Sequence, residues 1–274
     1  MLPVYNIELL PKEVQPVIKS YFDELNKIGG VEALTGFCVI GSSAMNDFYP
    51  GRSDIDFLGI TNRKLNDTEF EQLQAIHANI RKQFDISFDG YYLEERLLKQ
   101  PLQDDIEASV VFNANLRRVT RPSFYTVCYF QVKTASVFLY GSKPDFEVDI
   151  DEFMHQLHDS INTAWTSWAR NHTIPRAGGW ELLMYPLQTI QGVLHTARYL
   201  YILRNKKFPT KKEAGEYMLQ NFDSRYKGII EQALAIQQKN TKGISISYRR
   251  YSQTLKAIKA IIHTFNLEYN KLYS

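Results

Sequence analysis

The stretch GFCVIGSSAMNDFYPGRSDIDFLGI, residues 36–60, constrains the fold more than any other part of the chain. Two short apolar runs, 36–40 and 55–60, are bounded by turn residues and have the length of strands. Between them stand Gly41 and Ser42, then a loop, then Asp54 and Asp56 on either side of Ile55. An aspartate lowers β-propensity and is costly to bury unpaired, so two of them at even spacing call for a compensating cation. If Ile55 faces a core, Asp54 and Asp56 project together from the opposite side, about 6–7 Å apart along the backbone. Carboxylates at that spacing can converge on one or two hard divalent ions. A surface strand with two solvated aspartates would share the spacing, but Phe57, Leu58 and Ile60 continue the apolar run. Upstream, Gly41-Ser42 between a strand and a short predicted helix (43–48) offers backbone N–H groups and a hydroxyl suited to a phosphate chain.

The rest of the composition describes a soluble globular protein: 274 residues, 44% hydrophobic and 23% charged. A net charge of +2 removes any global electrostatic case for a nucleic-acid or membrane partner, so a basic site has to be local. Cys38 and Cys128 each lie on an apolar segment without a second cysteine or histidine at zinc spacing, and read as buried thiols. The first sixteen residues carry Glu8, Glu13 and prolines where a secretory leader needs an apolar stretch, and no run reaches the ~20 apolar residues of a membrane span. A cytoplasmic chain is expected.

Periodicity divides the sequence in two. Residues 11–27 space Val14, Ile18, Phe22 and Leu25 at helical intervals and stop at Gly29-Gly30. Residues 67–84 form a second helix capped by Asn66 or Asp67; 85–89 alternate as a strand; 91–99 can be helical; 110–119 and 136–140 are further strands. After about Asp149 the stretches 155–170, 181–204, 211–221, 225–237 and 248–265 all carry helical periodicity. The expected fold is α+β: a domain over 1–149 with a small mixed sheet, then an all-helical bundle over 150–274.

Strand, Gly-Ser, a loop of roughly ten residues and Asp-x-Asp resembles the signature of the polymerase-β-type nucleotidyltransferase superfamily. The resemblance implies magnesium held by Asp54 and Asp56, a nucleoside triphosphate, and a third carboxylate on a following strand. Asp85 in QFDISFDG takes that place, with Asp89, on the same face by even spacing, in reserve. The segment LHTARYLYILRNKKFPTKKEAGEYML, 194–219, is similar to the spectinomycin/streptomycin adenylyltransferases, and YGSKP at 140–144 to a turn that family carries between its halves. By that resemblance the ATP-contacting arginine and lysine fall on Arg198 and Lys211. Those relatives carry a glutamate as general base; Asp85 is one methylene shorter, and is either base or metal ligand. Trp165, Trp168, Trp180 and Glu181 are the nearest residues to their drug-contacting tryptophan and acids.

What the resemblance implies is magnesium-dependent transfer of AMP from ATP to a hydroxyl of an aminoglycoside-type antibiotic, releasing pyrophosphate, by a monomer. Ser42, Ser53, Arg198 and Lys211 hold the triphosphate; Asp54, Asp56 and Asp85 hold metal, and Asp85 serves the chemistry. Cations there match the charge that moves onto the leaving pyrophosphate. Two rivals stay open: transfer to a protein or RNA target, and a non-catalytic nucleotide-binding regulator. Neutral composition argues against nucleic acid, and three gathered carboxylates argue against a pure binder.

Overall fold

The computed structural model describes residues 2–99, 107–120, 125–173, 179–238 and 245–273. The chain divides into two compact units, Met1–Val148 and Asp149–Ser274. No described helix is long and apolar enough to cross a membrane.

The first unit is a six-stranded mixed sheet with helices on both faces. Helix α1 (Gln15–Lys27) starts with Pro16 in its first turn, buries Val17, Ile18, Tyr21, Phe22 and Leu25, and ends before Gly29 and Gly30. Strand β1 (Leu34–Ile40) leads into a four-residue helix α2 (Gly41–Ala44), shorter than the 43–48 helix expected. Strand β2 (Ile55–Thr61) pairs antiparallel with β1. Helix α3 (Asp67–Gln83) is the crossover that lets strand β3 (Phe88–Glu94) pair with β2 in parallel. Asn66 caps α3 in a reciprocal box with Glu69. Glu69 also accepts the Ala33 N–H at 3.0 Å and an Arg63 bond at 2.7 Å, which ties the helix start to the entry of β1. Burial pushes the Glu69 carboxyl up, but Arg63 and the two backbone donors outweigh it and hold it below the ordinary value.

Two expectations change. Strand β3 runs to Glu94, so the following helix α4 is only Glu95–Lys99. The span 110–119, read as one strand, is a hairpin of β4 (Glu107–Phe112) and β5 (Asn115–Thr120). Asn113 and Ala114 both take left-handed backbone there, a two-residue turn that periodicity without an Asn-Gly pair conceals. Helix α5 (Tyr125–Thr134) and strand β6 (Val137–Tyr140) complete the unit, with sheet order β5-β4-β3-β2-β1-β6.

One sheet face is an aromatic core beneath α1 and α3. Phe37 and Phe57 stack at 5.1 Å, Phe57 and His77 at 5.3 Å, with Tyr21, Phe22, Phe88 and Tyr92 around them. Such ring pairs contribute about 0.5–1.5 kcal/mol each beyond their area. His77 Nε2 bonds the Tyr92 hydroxyl at 2.8 Å, and Tyr92 bonds Tyr21 at 2.7 Å, a buried chain that leaves only His77 Nδ1 among these atoms without a partner. The other face carries Cys38, Ile40, Leu58, Ile60 and Leu93 against α4 and α5.

The second unit is helical throughout its described residues. Its elements are α6 (Ile150–Ser160), capped by Asp149; a π-helical turn Ile161–Trp165; α7 (Thr166–Asn171); α8 (Trp180–Met184); α9 (Leu187–Thr189); a second π-helical turn Ile190–Leu194; α10 (His195–Asn205); α11 (Lys211–Asn221); α12 (Lys227–Gln238); and α13 (Tyr248–Tyr273). The stretch 181–204, expected as one helix, is therefore divided: Pro186 precedes α9, and the second π-helical turn joins α9 to α10.

Burial lowers the His77 imidazole to about 3. The unfolded chain binds a proton there below its ordinary value and the folded chain refuses it, so stability falls as pH drops from about 6.5 toward 3, by up to about 1.4 kcal/mol per pH unit. In His77→Phe that part of the acid sensitivity is removed. Hydrogen exchange of the β2 and β3 amides between pH 7 and 4 checks this: the gap between the two proteins narrows or inverts as pH falls.

Candidate active site

At the end of β1 the chain turns sharply at Gly41, whose φ is +66°. A Cβ at this position would lie 2.5 Å from Asp56 Oδ2, so the Asp56 carboxylate rests directly against the turn. Both the left-handed backbone and the close approach require glycine here. Beyond it, α2 begins, and the leading N–H groups of its single turn have no intrahelical acceptor. Ser42 is half-buried at its start, and its carbonyl accepts the Asp47 N–H at 3.0 Å, folding the loop back.

Register assembles the acids. Ile40 on β1 pairs with Asp56 on β2, and Asp56 pairs with Asp89 on β3. Paired residues on adjacent strands point to the same face, with the strands about 4.8 Å apart. Ile55 lies in the aromatic core, so Asp56 takes the face of Leu58 and Ile60, as its alternation with Ile55 requires. Its charge is felt by Cys128 on α5, a thiol that burial first, and Asp56 second, push up to about 12. Asp54 stands two residues earlier at the mouth of β2, exposed to water.

The third carboxylate in this row is Asp89, not Asp85. Asp85 sits in the bend between α3 and β3, its side chain 99% exposed and 3.7 Å from Arg81. Because β3 begins only at Phe88, a residue four places upstream of Asp89 falls off the sheet. Asp89 is half-buried and oriented from both sides: Ser87 Oγ donates to Oδ2 at 2.9 Å and the Asn113 N–H donates to Oδ1 at 3.0 Å. Burial raises its pKa despite those donors. Ser87 and Asn113 are supporting residues that sequence reasoning misses; Ser87 is visible in the alternation of 85–89, whereas Asn113 reaches Asp89 only through the hairpin. Ser53, expected on the triphosphate, uses its hydroxyl oxygen to accept the Tyr49 N–H at 3.0 Å and so closes the loop that delivers Asp54.

Among the described residues, no three His, Cys, Asp or Glu side chains stand close enough together to hold a metal ion by themselves. That is compatible with magnesium, which is commonly held by one or two carboxylates with substrate phosphates completing its oxygen shell. The donor set is all carboxylate, as a hard cation requires.

In the helical unit, Arg198 on α10 donates from Nε to the Pro209 carbonyl at 3.0 Å and lies 4.7 Å over the Phe208 ring. Lys211 is the first residue of α11, behind a Thr210–Glu213 capping box. The structure brings the two cations to one place: burial first, then the charges of Lys211 and Arg198, push the His195 imidazole well below its ordinary value. His195 Nε2 is buried with no hydrogen-bond partner, and the ring lies 5.6 Å from Trp165. Trp165 closes one π-helical turn and His195 follows the other, an irregularity frequent at functional sites. Trp168 stacks on His172 at 3.6 Å, and Trp180 is 55% exposed at the start of α8 beside exposed Glu181.

Residues 150–262 match the family described as Aminoglycoside adenylyltransferase, C-terminal domain. No curated protein sequence matches the chain. Among solved structures the fold is similar to that of spectinomycin adenyltransferase AAD(9) from Enterococcus faecialis, solved with ATP and spectinomycin, at 15% identity and a TM-score of 0.63 over 94% of this chain and 98% of that one.

Gly41→Ala is expected to destabilise the chain by about 1–2 kcal/mol, the cost of left-handed backbone at a non-glycine residue, with displacement of Asp56 in addition. A melting curve set beside that of Gly29→Ala, where a Cβ meets nothing within 4 Å although φ is also positive, separates the crowding from the backbone strain.

Proposed function

We propose, from the match of residues 150–262 to the aminoglycoside adenylyltransferase C-terminal domain family, that the chain is a nucleotidyltransferase that transfers AMP from ATP to a hydroxyl of an aminoglycoside-type antibiotic, with release of pyrophosphate. The observation that carries the reading is the row of Asp56 and Asp89 on paired strands beside the Gly41 turn.

Asp54 and Asp56, with triphosphate oxygens, would hold magnesium, which when bound would neutralise triphosphate charge and fix the α-phosphate for in-line attack. Asp89 would take the proton of the attacking hydroxyl. Its raised pKa brings it closer to working pH than a solvated aspartate, which improves a general base. As the O–H bond breaks toward Asp89, the oxygen forms its bond to the α-phosphorus, and the bond from that phosphorus to the bridging oxygen of pyrophosphate breaks. The Gly41-Ser42 turn supplies N–H donors to phosphate oxygens. Arg198 and Lys211 supply positive charge for the leaving group. The neutral His195 adds no third charge beside them. A cationic sugar suits an aromatic face, which Trp165 and Trp180 can offer, with Glu181 contributing a carboxylate.

Incubation with ATP, magnesium and a panel of aminoglycosides, followed by pyrophosphate release, tests the reading. At least one drug stimulates release; Asp56→Ala and Asp89→Asn lower kcat/KM by about 10²–10³-fold, the scale of losing one preorganised electrostatic group. Asp85→Asn stays within twofold, roughly, since an exposed ion pair contributes little. Equal turnover in Asp56→Ala, or a larger loss in Asp85→Asn than in Asp89→Asn, sinks the assignment.

Arg198→Ala is expected to raise the KM for ATP roughly ten- to hundredfold, the worth of one hydrogen bond to a charged group. Its melting temperature falls by only a few degrees, because the bond to the Pro209 carbonyl and the approach to the Phe208 ring each stabilise the unit by about 1 kcal/mol.

A further inference from the structure

The helical unit holds a second basic site that shares no residue with Arg198 and Lys211. We propose that a cavity of about 410 Å³ between the α11–α12 turn and α13 binds a phosphate monoester carried on a planar ring, the chemistry of a nucleoside monophosphate. One wall is α13, where Lys256, Lys259 and His263 follow at three and four residues and share a helix face. The other wall is the turn, with Phe222, Arg225 and Tyr226. The volume falls in the range of small-molecule sites, roughly 300–1,000 Å³.

Charge selects the ligand class. Asp223 is the carboxylate among the lining residues, and Arg225 holds it through side-chain bonds of 2.6, 2.9 and 3.1 Å, so that pair cancels. Lys256 and Lys259 have no carboxylate within ion-pair distance among the described residues, which leaves two positive charges facing the cavity. Elsewhere in the unit, two helix lysines meet a glutamate one turn on: Lys212 with Glu216 and Lys227 with Glu231, both at 3.8 Å. On α13 the corresponding positions are Ala260 and His263, so no counter-charge is supplied from the same face. A phosphate monoester carries about −1.5 to −2 at pH 7, which matches the two lysines. Phe222 and Tyr226, with ring centroids 5.7 Å apart and 35° between planes, provide the aromatic surface on which a base could stack.

Lysine acetylation of the full chain, read residue by residue by mass spectrometry, tests the site with AMP, ribose 5-phosphate and adenosine as probes. AMP protects Lys256 and Lys259 several-fold and leaves Lys271 unchanged; ribose 5-phosphate protects less and adenosine not at all. In Lys259→Glu, folded by circular dichroism, AMP no longer protects Lys256. Absence of protection by AMP, protection by adenosine equal to that by AMP, or protection that persists in Lys259→Glu overturns the site. The footprint reads α13 and not turnover, so its result is independent of the pyrophosphate assay.

Discussion

Two carboxylates placed side by side on neighbouring strands are the constraint around which the first unit is built. At a strand spacing of about 4.8 Å, like charges repel and each loses part of its hydration, so an aliphatic residue at either position would make a more stable sheet. The neighbours show what such a residue would look like: Leu58 and Ile60 continue the Asp56 face, and Leu93 continues that of Asp89. The arrangement persists because its surroundings have been shaped to it. Gly41 leaves room for Asp56, Ser87 and the Asn113 N–H donate to Asp89, and the mouth of β2 keeps Asp54 in water.

Pairing Asp56 with Asp89 depends on register, since a slip of one residue would turn one of them to the opposite face. Several features fix it. A Cβ at Gly90 would lie 2.2 Å from the Phe57 carbonyl oxygen, and one at Gly59 2.4 Å from the Tyr92 ring, so each strand fits its neighbour at one setting. The hydrogen-bonded chain His77–Tyr92–Tyr21 then locks β3 to α3 and α1 from below. Glu69, by joining α3 to Ala33 and Arg63, holds the crossover helix that makes the parallel pairing possible. The aromatic core is thus the part of the unit that sets where the acids stand, although it lies on the opposite face of the sheet from both.

Legibility in the sequence follows the range of the interactions involved. The Asp-x-Asp spacing, the Gly-Ser turn, the α1 stop at Gly29-Gly30 and the Asn66 cap are all decided within a few residues, and each can be read directly. The choice between Asp85 and Asp89 is not local. Both lie in QFDISFDG at even spacing, and what separates them is that β3 begins at Phe88 and pairs across the sheet with β2, on the far side of a whole helix in sequence. The hairpin at Asn113-Ala114 is hidden for another reason, since Ala114 is an unusual residue for left-handed backbone and carries no turn signature. The interruption of 181–204 is half legible: Pro186 marks a break, but the π-helical turn that precedes His195 leaves no composition signal.

His77 and His195 show how the same side chain takes different parts in the two units. His77 is neutral because it is enclosed among rings, and its bond to Tyr92 is structural. His195 is neutral by burial and also because Arg198 and Lys211 stand near enough to repel a third positive charge. The direction of that effect carries information about what the place would welcome. A polyphosphate drawn there would bring negative charge to the same neighbourhood, offsetting the two cations and easing protonation of His195. Binding of the anion and uptake of a proton by the imidazole would then favour one another, each lowering the cost of the other.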